Sequence, residues 1–167
     1  MRRIGVLMNL SENDPDAREV VTTFVKELQR LGWSDGRNAR IETRWGAGDR
    51  DHYRRLAAEL TGLAPDIVLA VTTDVVMALQ QASQATSIVF VAVINPIGSG
   101  LVASMARPSG NATGFTVFEY AIAAKWLELL KEIAPSVTRV AVLRDANVAS
   151  GIGRLRPSRP SRPSVWS

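Results

Sequence analysis

The 167-residue sequence contains no cysteine and a single histidine. Without cysteine the chain can form neither a disulfide framework nor a zinc–thiolate site, and it has no thiol nucleophile. The lone histidine, His52, lies among charged residues on a predicted solvated helix face, which is unfavourable for a general base that must reach a substrate. No apolar run approaches the roughly 20 residues that a membrane-spanning helix needs, so we expect no transmembrane segment.

Two glycine signatures of cofactor-binding and catalytic proteins are also missing. The first predicted strand is not followed by Gly-x-Gly-x-x-Gly, the fingerprint of dinucleotide binding. The Gly-Ser-Gly at 98–100 has neither the lysine of a phosphate-binding P-loop nor the pattern of a nucleophile elbow. We therefore expect no cofactor, no metal and no catalytic residues, and predict that the protein is not an enzyme.

The composition is that of a globular chain with a basic end. Apolar residues make up 46 % and charged residues 22 %, which excludes disorder over the whole length. The net charge is +4, but four of the 20 basic residues lie after residue 153, and three of these four belong to consecutive Arg-Pro-Ser triplets. Since proline interrupts helices and strands, we expect 154–167 to be a disordered tail. We expect no nucleic-acid partner, although weak, salt-dependent binding by the tail is an alternative.

Short apolar runs alternate with helical patterns. The pattern predicts strands at 3–8, 39–45, 67–71, 88–94, 112–117 and 140–143, and helices at 17–31, 49–61, 72–82, 101–105 and 120–133. The last helix has an apolar face that we expect to pack inward, formed by Ile122, Trp126, Leu129, Leu130 and Ile133. This alternation predicts an α/β fold, a Rossmann-like parallel sheet with helices on both faces.

Polar loops follow the predicted strands. Parallel sheets bind ligands beyond the carboxyl ends of their strands, and hydroxyl, amide and helix-starting N–H groups suit a small polar, often anionic, ligand. The candidate ligand-binding residues are Asn9, Leu10, Ser11, Thr72, Thr73, Asp74, Asn95, Pro96, Thr116, Phe118 and Asp145. Asp74 also suits a helix cap and Asp145 a strand-end turn, while either carboxylate could orient a ligand's amino group.

Several segments carry a family resemblance. They are 1–10, Leu-Gly-Trp-Ser-Asp-Gly-Arg-Asn at 31–38, 64–68, and above all 88–116, with Asn-Pro-Ile-Gly-Ser-Gly at 95–100 and Ala-Arg-Pro-Ser-Gly-Asn-Ala-Thr-Gly-Phe-Thr at 106–116. Segments 125–130 and 140–145 extend the likeness to about residue 153. Together they resemble the ABC-transporter substrate-binding proteins, a bacterial family with the type I periplasmic-binding-protein fold.

The resemblance implies two Rossmann-like lobes that close on a small polar solute, an amino acid in some relatives, and pass it to permease subunits. It implies a first lobe at 1–117 and an incomplete second lobe at 118–153. Relatives often have Gly-Thr/Ser-Pro after the third strand, where this chain has Val71-Thr72-Thr73-Asp74. An enzyme or sensor on a Rossmann-like fold, using the same loops, is the alternative.

The resemblance also sets expectations about the two ends. Relatives act in the periplasm or elsewhere outside the cytoplasm and carry an export signal. This chain begins at the first strand, so we expect it in the cytoplasm if it is made as given. The abrupt change of composition at Arg154 suggests a frameshift, and an incomplete second lobe would leave an apolar patch over 120–143.

Overall fold

The computed structural model describes residues 1–108, 110–118 and 122–141. The strands are β1 (Arg2–Met8), β2 (Ala39–Trp45), β3 (Ile67–Val71), β4 (Ile88–Ile94) and β5 (Ala112–Phe118). The helices are α1 (Pro15–Arg30), α2 (Arg50–Gly62), α3 (Thr73–Ala82) and α4 (Ile122–Ile133). Of the strand predicted at 140–143, residues 140 and 141 belong to no strand, and 142–143 lie outside the described residues, as does the predicted tail.

The five strands form one parallel sheet in the order β2-β1-β3-β4-β5. The central strand β1 pairs with β2 from Arg2 to Met8 and with β3 from Ile4 to Leu7. The chain therefore adds β2 on one side of β1 and then adds β3, β4 and β5 in turn on the other side. In sheets with this order the ligand crevice lies at the reversal, which here is between the carboxyl ends of β1 and β3.

Helices cover both faces of the sheet, as predicted. Helices α2 and α3 pack on one face, where the largest fully buried side chains include Leu7, Leu60, Leu79, Ile88 and Phe90. Helix α1 packs on the other face, over Val6, Met8, Leu69 and Val71. Strands β1 and β3 contribute side chains to both clusters, which explains their continuous apolar sequences.

Aspartates fix where the first two helices begin. The Asp14 carboxylate accepts the Ala17 N–H at 3.0 Å at the start of α1. The Asp49 carboxylate accepts the His52 N–H at 2.8 Å at the start of α2. This backbone donor lowers the pKa of Asp49 below its ordinary value. The second cap matters for the site, because it sets the direction of the first turn of α2.

The helix predicted at 101–105 is wrong. Leu101 and Val102 are both buried, at 5 % and 4 % exposure, and their N–H groups donate to the Pro96 carbonyl at 2.9 and 3.4 Å. The segment therefore packs as irregular chain, and five residues are too few to form a helix without tertiary support.

The expected inward packing of α4 is also wrong. Its apolar face is exposed, at 37 % for Ile122, 57 % for Trp126 and 82 % for Ile133. Leu129 and Leu130 are exposed as well. A stripe of apolar side chains predicts that a helix face is buried against another element. In the described residues, this face of α4 is exposed instead. The apolar patch expected over this segment is thus present in the described residues.

Candidate ligand-binding site

Helix α2 contacts the loop after β1 and keeps it in place. The Tyr53 hydroxyl donates to the Asn9 carbonyl at 2.9 Å, and the Gly48 N–H donates to the same oxygen at 2.8 Å. Tyr53 is 5 % exposed, and this burial, together with the negative charge of Asp74, raises the pKa of its hydroxyl. The phenol therefore keeps the proton that it donates to Asn9.

The loop after β3 contains a strained residue. Thr72 has φ +79° and ψ 160°, a region that is almost exclusive to glycine. Its N–H donates to the Val91 carbonyl of β4 at 3.1 Å, and its carbonyl accepts the Val76 N–H of α3 at 3.2 Å. Thr72 is thus hydrogen-bonded to β4 through its N–H group and to α3 through its carbonyl group. The strained conformation belongs to the residue immediately before α3.

We expect Thr72→Gly to stabilise the chain by about 1 kcal/mol, because relief of roughly 1–3 kcal/mol of strain exceeds the glycine entropy cost of roughly 0.5–1 kcal/mol. Thr72→Ala is the control, since it keeps a Cβ and therefore the strain. Urea denaturation measures both free energies of unfolding. Equal stability of the two variants would show that the backbone conformation carries no strain.

Thr73 places an unpaired hydroxyl at the first turn of α3. The residue is 2 % exposed, and its Oγ1 has no hydrogen-bond partner within the part of the chain that the structure describes. Buried hydroxyl groups are nearly always paired, so this one needs an explanation. The first-turn N–H groups of a helix also lack intrahelical acceptors, and the helix dipole favours an anion there. A ligand with an anionic oxygen would satisfy both sets of donors.

Asp74 forms an ion pair across the two helices. Its Oδ1 lies 3.0 Å from Arg50 Nη2, and the two side chains are 17 % and 42 % exposed. The cap interpretation of Asp74 is wrong, because Thr72 is the cap residue and Asp74 lies inside the first turn. A cleft of about 160 Å³ opens beside the pair, and it is lined by Arg50, Tyr53, Arg54, Asp74, Met77, Ala78 and Gln81.

The predicted residues after β4 shape their own loop. Asn95 has φ +45°, and its side-chain oxygen accepts the Gly98 N–H at 3.0 Å. Its carbonyl accepts the Ser99 N–H, also at 3.0 Å. Pro96 is buried and accepts the Leu101 N–H. Asn95 and Pro96 therefore fold the 95–101 loop, and contact of either residue with a ligand stays a prediction.

The other predicted residues are spread along the same edge. Leu10 and Ser11 are exposed in the loop after β1, and the Ser11 carbonyl accepts the Asp14 N–H at 3.1 Å. Thr116 is exposed within β5 rather than after it. The Phe118 side chain and Asp145 lie outside the described residues.

Sequence reasoning missed Arg50 and Tyr53. Tyr53 follows the apolar periodicity of α2, which predicts a core residue, and Arg50 lies among the charged residues beside His52, which predicts a solvated surface. A usable signal was present: the two residues are three apart in the first turn of a helix that follows a strand. In a parallel sheet with such connections, the first turns of these helices lie at the ligand edge.

The donors and acceptors of this edge suit binding of a polar molecule. Within 1–108, 110–118 and 122–141, no three acidic or histidine side chains are grouped so that they could hold a metal ion. In the same ranges, every helix is too short or too polar to cross a membrane. The described edge instead offers backbone N–H groups, the Thr73 hydroxyl and the Arg50–Asp74 pair.

Comparison with known proteins identifies the family. The model of the family described as "ABC transporter substrate binding protein" matches residues 3–156. The curated "Tyrosine-binding protein" of Clostridioides difficile (strain R20291) is 29 % identical over 120 residues, which cover 72 % of this chain and 34 % of that protein.

Solved structures share the fold. A conserved domain protein from Vibrio cholerae is similar with a TM-score of 0.75 and 26 % identity over 89 % of this chain and 49 % of that one. The ligand-free, open structure of CD0873, a substrate binding protein with adhesive properties from Clostridium difficile, has a TM-score of 0.67 and 30 % identity, covering 81 % of this chain and 45 % of that one. The ABC domain from Streptococcus pneumonia in complex with L-Trp has a TM-score of 0.67 and 26 % identity, covering 81 % and 44 %.

The chain corresponds to only part of each protein that it matches. It spans about a third of the length of the curated relative and slightly less than half of each solved chain. The family match covers most of its residues, and the parallel sheet agrees with the related structures. The chain belongs to the ABC transporter substrate binding protein family.

Proposed function

We propose that this chain forms part of the solute-binding component of an ABC importer and that its solute is an amino acid. Residues 1–117 correspond to the first lobe and 118–153 to the beginning of the second. The partners are the solute and permease subunits, and the site of action of the whole protein is outside the cytoplasm. The family match supports the class of protein, and the names of two relatives, one tyrosine-binding and one solved with L-Trp, support the class of solute.

One observation carries the proposal: the buried, unpaired hydroxyl of Thr73 at the first turn of α3. An α-carboxylate would accept a hydrogen bond from Thr73 Oγ1 and from first-turn N–H groups, at the helix end where the dipole favours negative charge. The location agrees with the general rule, since this turn follows β3 at the reversal of strand order. The nearby Tyr53–Asn9 hydrogen bond keeps the neighbouring loop in place.

Calorimetric titration of the 167-residue chain with L-tryptophan and L-tyrosine tests the proposal. We expect both amino acids to bind, and tryptamine, which has no carboxylate, to bind at least about tenfold more weakly, because a hydrogen bond to a charged group contributes roughly 1.5–3 kcal/mol. Thr73→Val should weaken amino-acid binding by a similar factor, and Thr73→Ser should retain it.

Stability separates loss of binding from loss of fold. Thr73→Val should be at least as stable as the unsubstituted chain, because valine fills the same space without an unpaired hydroxyl. Binding of neither amino acid, or binding that Thr73→Val leaves unchanged in a folded protein, would contradict the proposal.

A further inference from the structure

We infer that Arg50 determines ligand specificity: by neutralising Asp74, it allows the first turn of α3 to accept a ligand carboxylate. The inference rests on the proposed function, since it concerns the same end of α3. It goes further by assigning a residue of α2 to the site and by stating which feature of the ligand that residue selects.

Asp74 presents a problem for an anionic ligand. Its carboxylate follows Thr73 directly and lies in the first turn of α3, where an acidic side chain interacts favourably with the helix dipole. A ligand carboxylate that approached the same turn would meet a like charge, and like charges in a partly buried site repel strongly. The Asp74 side chain is 17 % exposed, so water screens this repulsion only in part.

Arg50 lies close enough to Asp74 to neutralise its charge and so to remove the repulsion of a ligand carboxylate. Its Nη2 lies 3.0 Å from Asp74 Oδ1, which makes the pair neutral as a unit. Helix α2 is itself anchored to the loop after β1 through Tyr53 and Asn9, which keeps Arg50 in position.

Arg54 provides a matched control within the same cleft. It belongs to the same helix, carries the same charge and also lines the cleft. Its guanidinium, however, lies 2.5 Å from Asp51, whose side chain is 89 % exposed. An exposed pair of this kind has little effect on a neighbouring buried charge. If any cationic residue of the cleft sufficed, Arg54 would be as important as Arg50.

The experiment compares two ligands that differ only at the carboxyl group. L-tryptophan has an anionic carboxylate, and L-tryptophanamide has a neutral amide with the same ammonium group and indole. We expect Arg50→Gln to weaken L-tryptophan binding by about tenfold or more and L-tryptophanamide binding by less than about twofold, as measured by calorimetry. Arg54→Gln should change neither affinity by more than about twofold.

A second variant tests the neutralising role directly. In Arg50→Gln/Asp74→Asn both charges are absent, so the repulsion that the single Arg50→Gln variant exposes is removed. We expect L-tryptophan affinity to recover to within about threefold of that of the unsubstituted chain. Thermal denaturation of each variant confirms that it is folded before titration.

The outcomes separate the inference from the proposed function. If the unsubstituted chain binds L-tryptophan and Arg50→Gln does not alter its affinity, the inference is wrong and the proposed function stands. Equal weakening of both ligands by Arg50→Gln would show that Arg50 only supports the fold of the site, which also overturns the inference. If the unsubstituted chain binds neither L-tryptophan nor L-tyrosine, the inference and the proposed function both fail.

Discussion

Gly114→Ala is expected to destabilise the chain by about 3 kcal/mol, because a side chain at this position has no room beside β4. A Cβ built on Gly114 would overlap the carbonyl oxygen of Phe90 and lie 2.6 and 2.7 Å from the Phe90 nitrogen and carbonyl carbon. These are backbone atoms of a strand paired on both sides, so they cannot move aside as a flexible side chain would. Either β5 separates from β4 or the buried Phe90 is displaced.

Thermal unfolding followed by circular dichroism measures the effect, which corresponds to a decrease in melting temperature of about 10 °C. Gly62→Ala is the matched control: the same substitution at the last residue of α2 meets nothing within 4 Å. That variant should be as stable as the unsubstituted chain or slightly more so, since alanine reduces the entropy of the unfolded state. Equal melting temperatures for the two variants would show that β4 and β5 are not held this closely.

The close approach at Gly114 illustrates what the sequence alone could predict of the fold. Predicted and observed bounds agree for β2, β3 and β4. The alternating pattern of β2 and the apolar runs of β3 and β4 each end at a residue typical of loops or helix starts, namely Gly46, Thr72 and Asn95. The pairing of β4 with β5 shifts register between Phe90 and Val93, and Ala92 has φ +55°. No apolar pattern encodes such an irregularity, since it depends on how two strands fit together rather than on either one.

The same distinction applies to the site. The rule that ligands lie beyond the carboxyl ends of strands led to Thr72 and Thr73, which local sequence and topology together place at the switch point. The role of Arg50 depends on the packing of α2 beside α3, and helical periodicity describes one helix at a time. Likewise, the apolar face of α4 could be predicted from its periodicity, but whether a layer covers that face could not.

Gly46→Ala is expected to damage stability and binding together. A Cβ at Gly46 would overlap the Tyr53 ring and lie 2.9 Å from the Met8 carbonyl oxygen. Tyr53 must then move away from β1, and its hydroxyl can no longer reach the Asn9 carbonyl that it contacts at 2.9 Å. Since the ring is buried, we expect a loss of about 2 kcal/mol of stability from overpacking and weaker binding of L-tryptophan.

Two further variants separate the causes of this loss. Tyr53→Phe removes only the hydroxyl and should cost about 1 kcal/mol, the usual contribution of one hydrogen bond. In Gly46→Ala/Tyr53→Leu the smaller side chain makes room for the new Cβ, so the double variant should be more stable than the sum of the single effects. Urea denaturation measures the unsubstituted chain and four variants, including the single Tyr53→Leu variant that the comparison with the double variant requires. If Gly46→Ala unfolds like the unsubstituted chain, the Tyr53 ring moves freely, and the loop after β1 does not depend on its contact with Asn9.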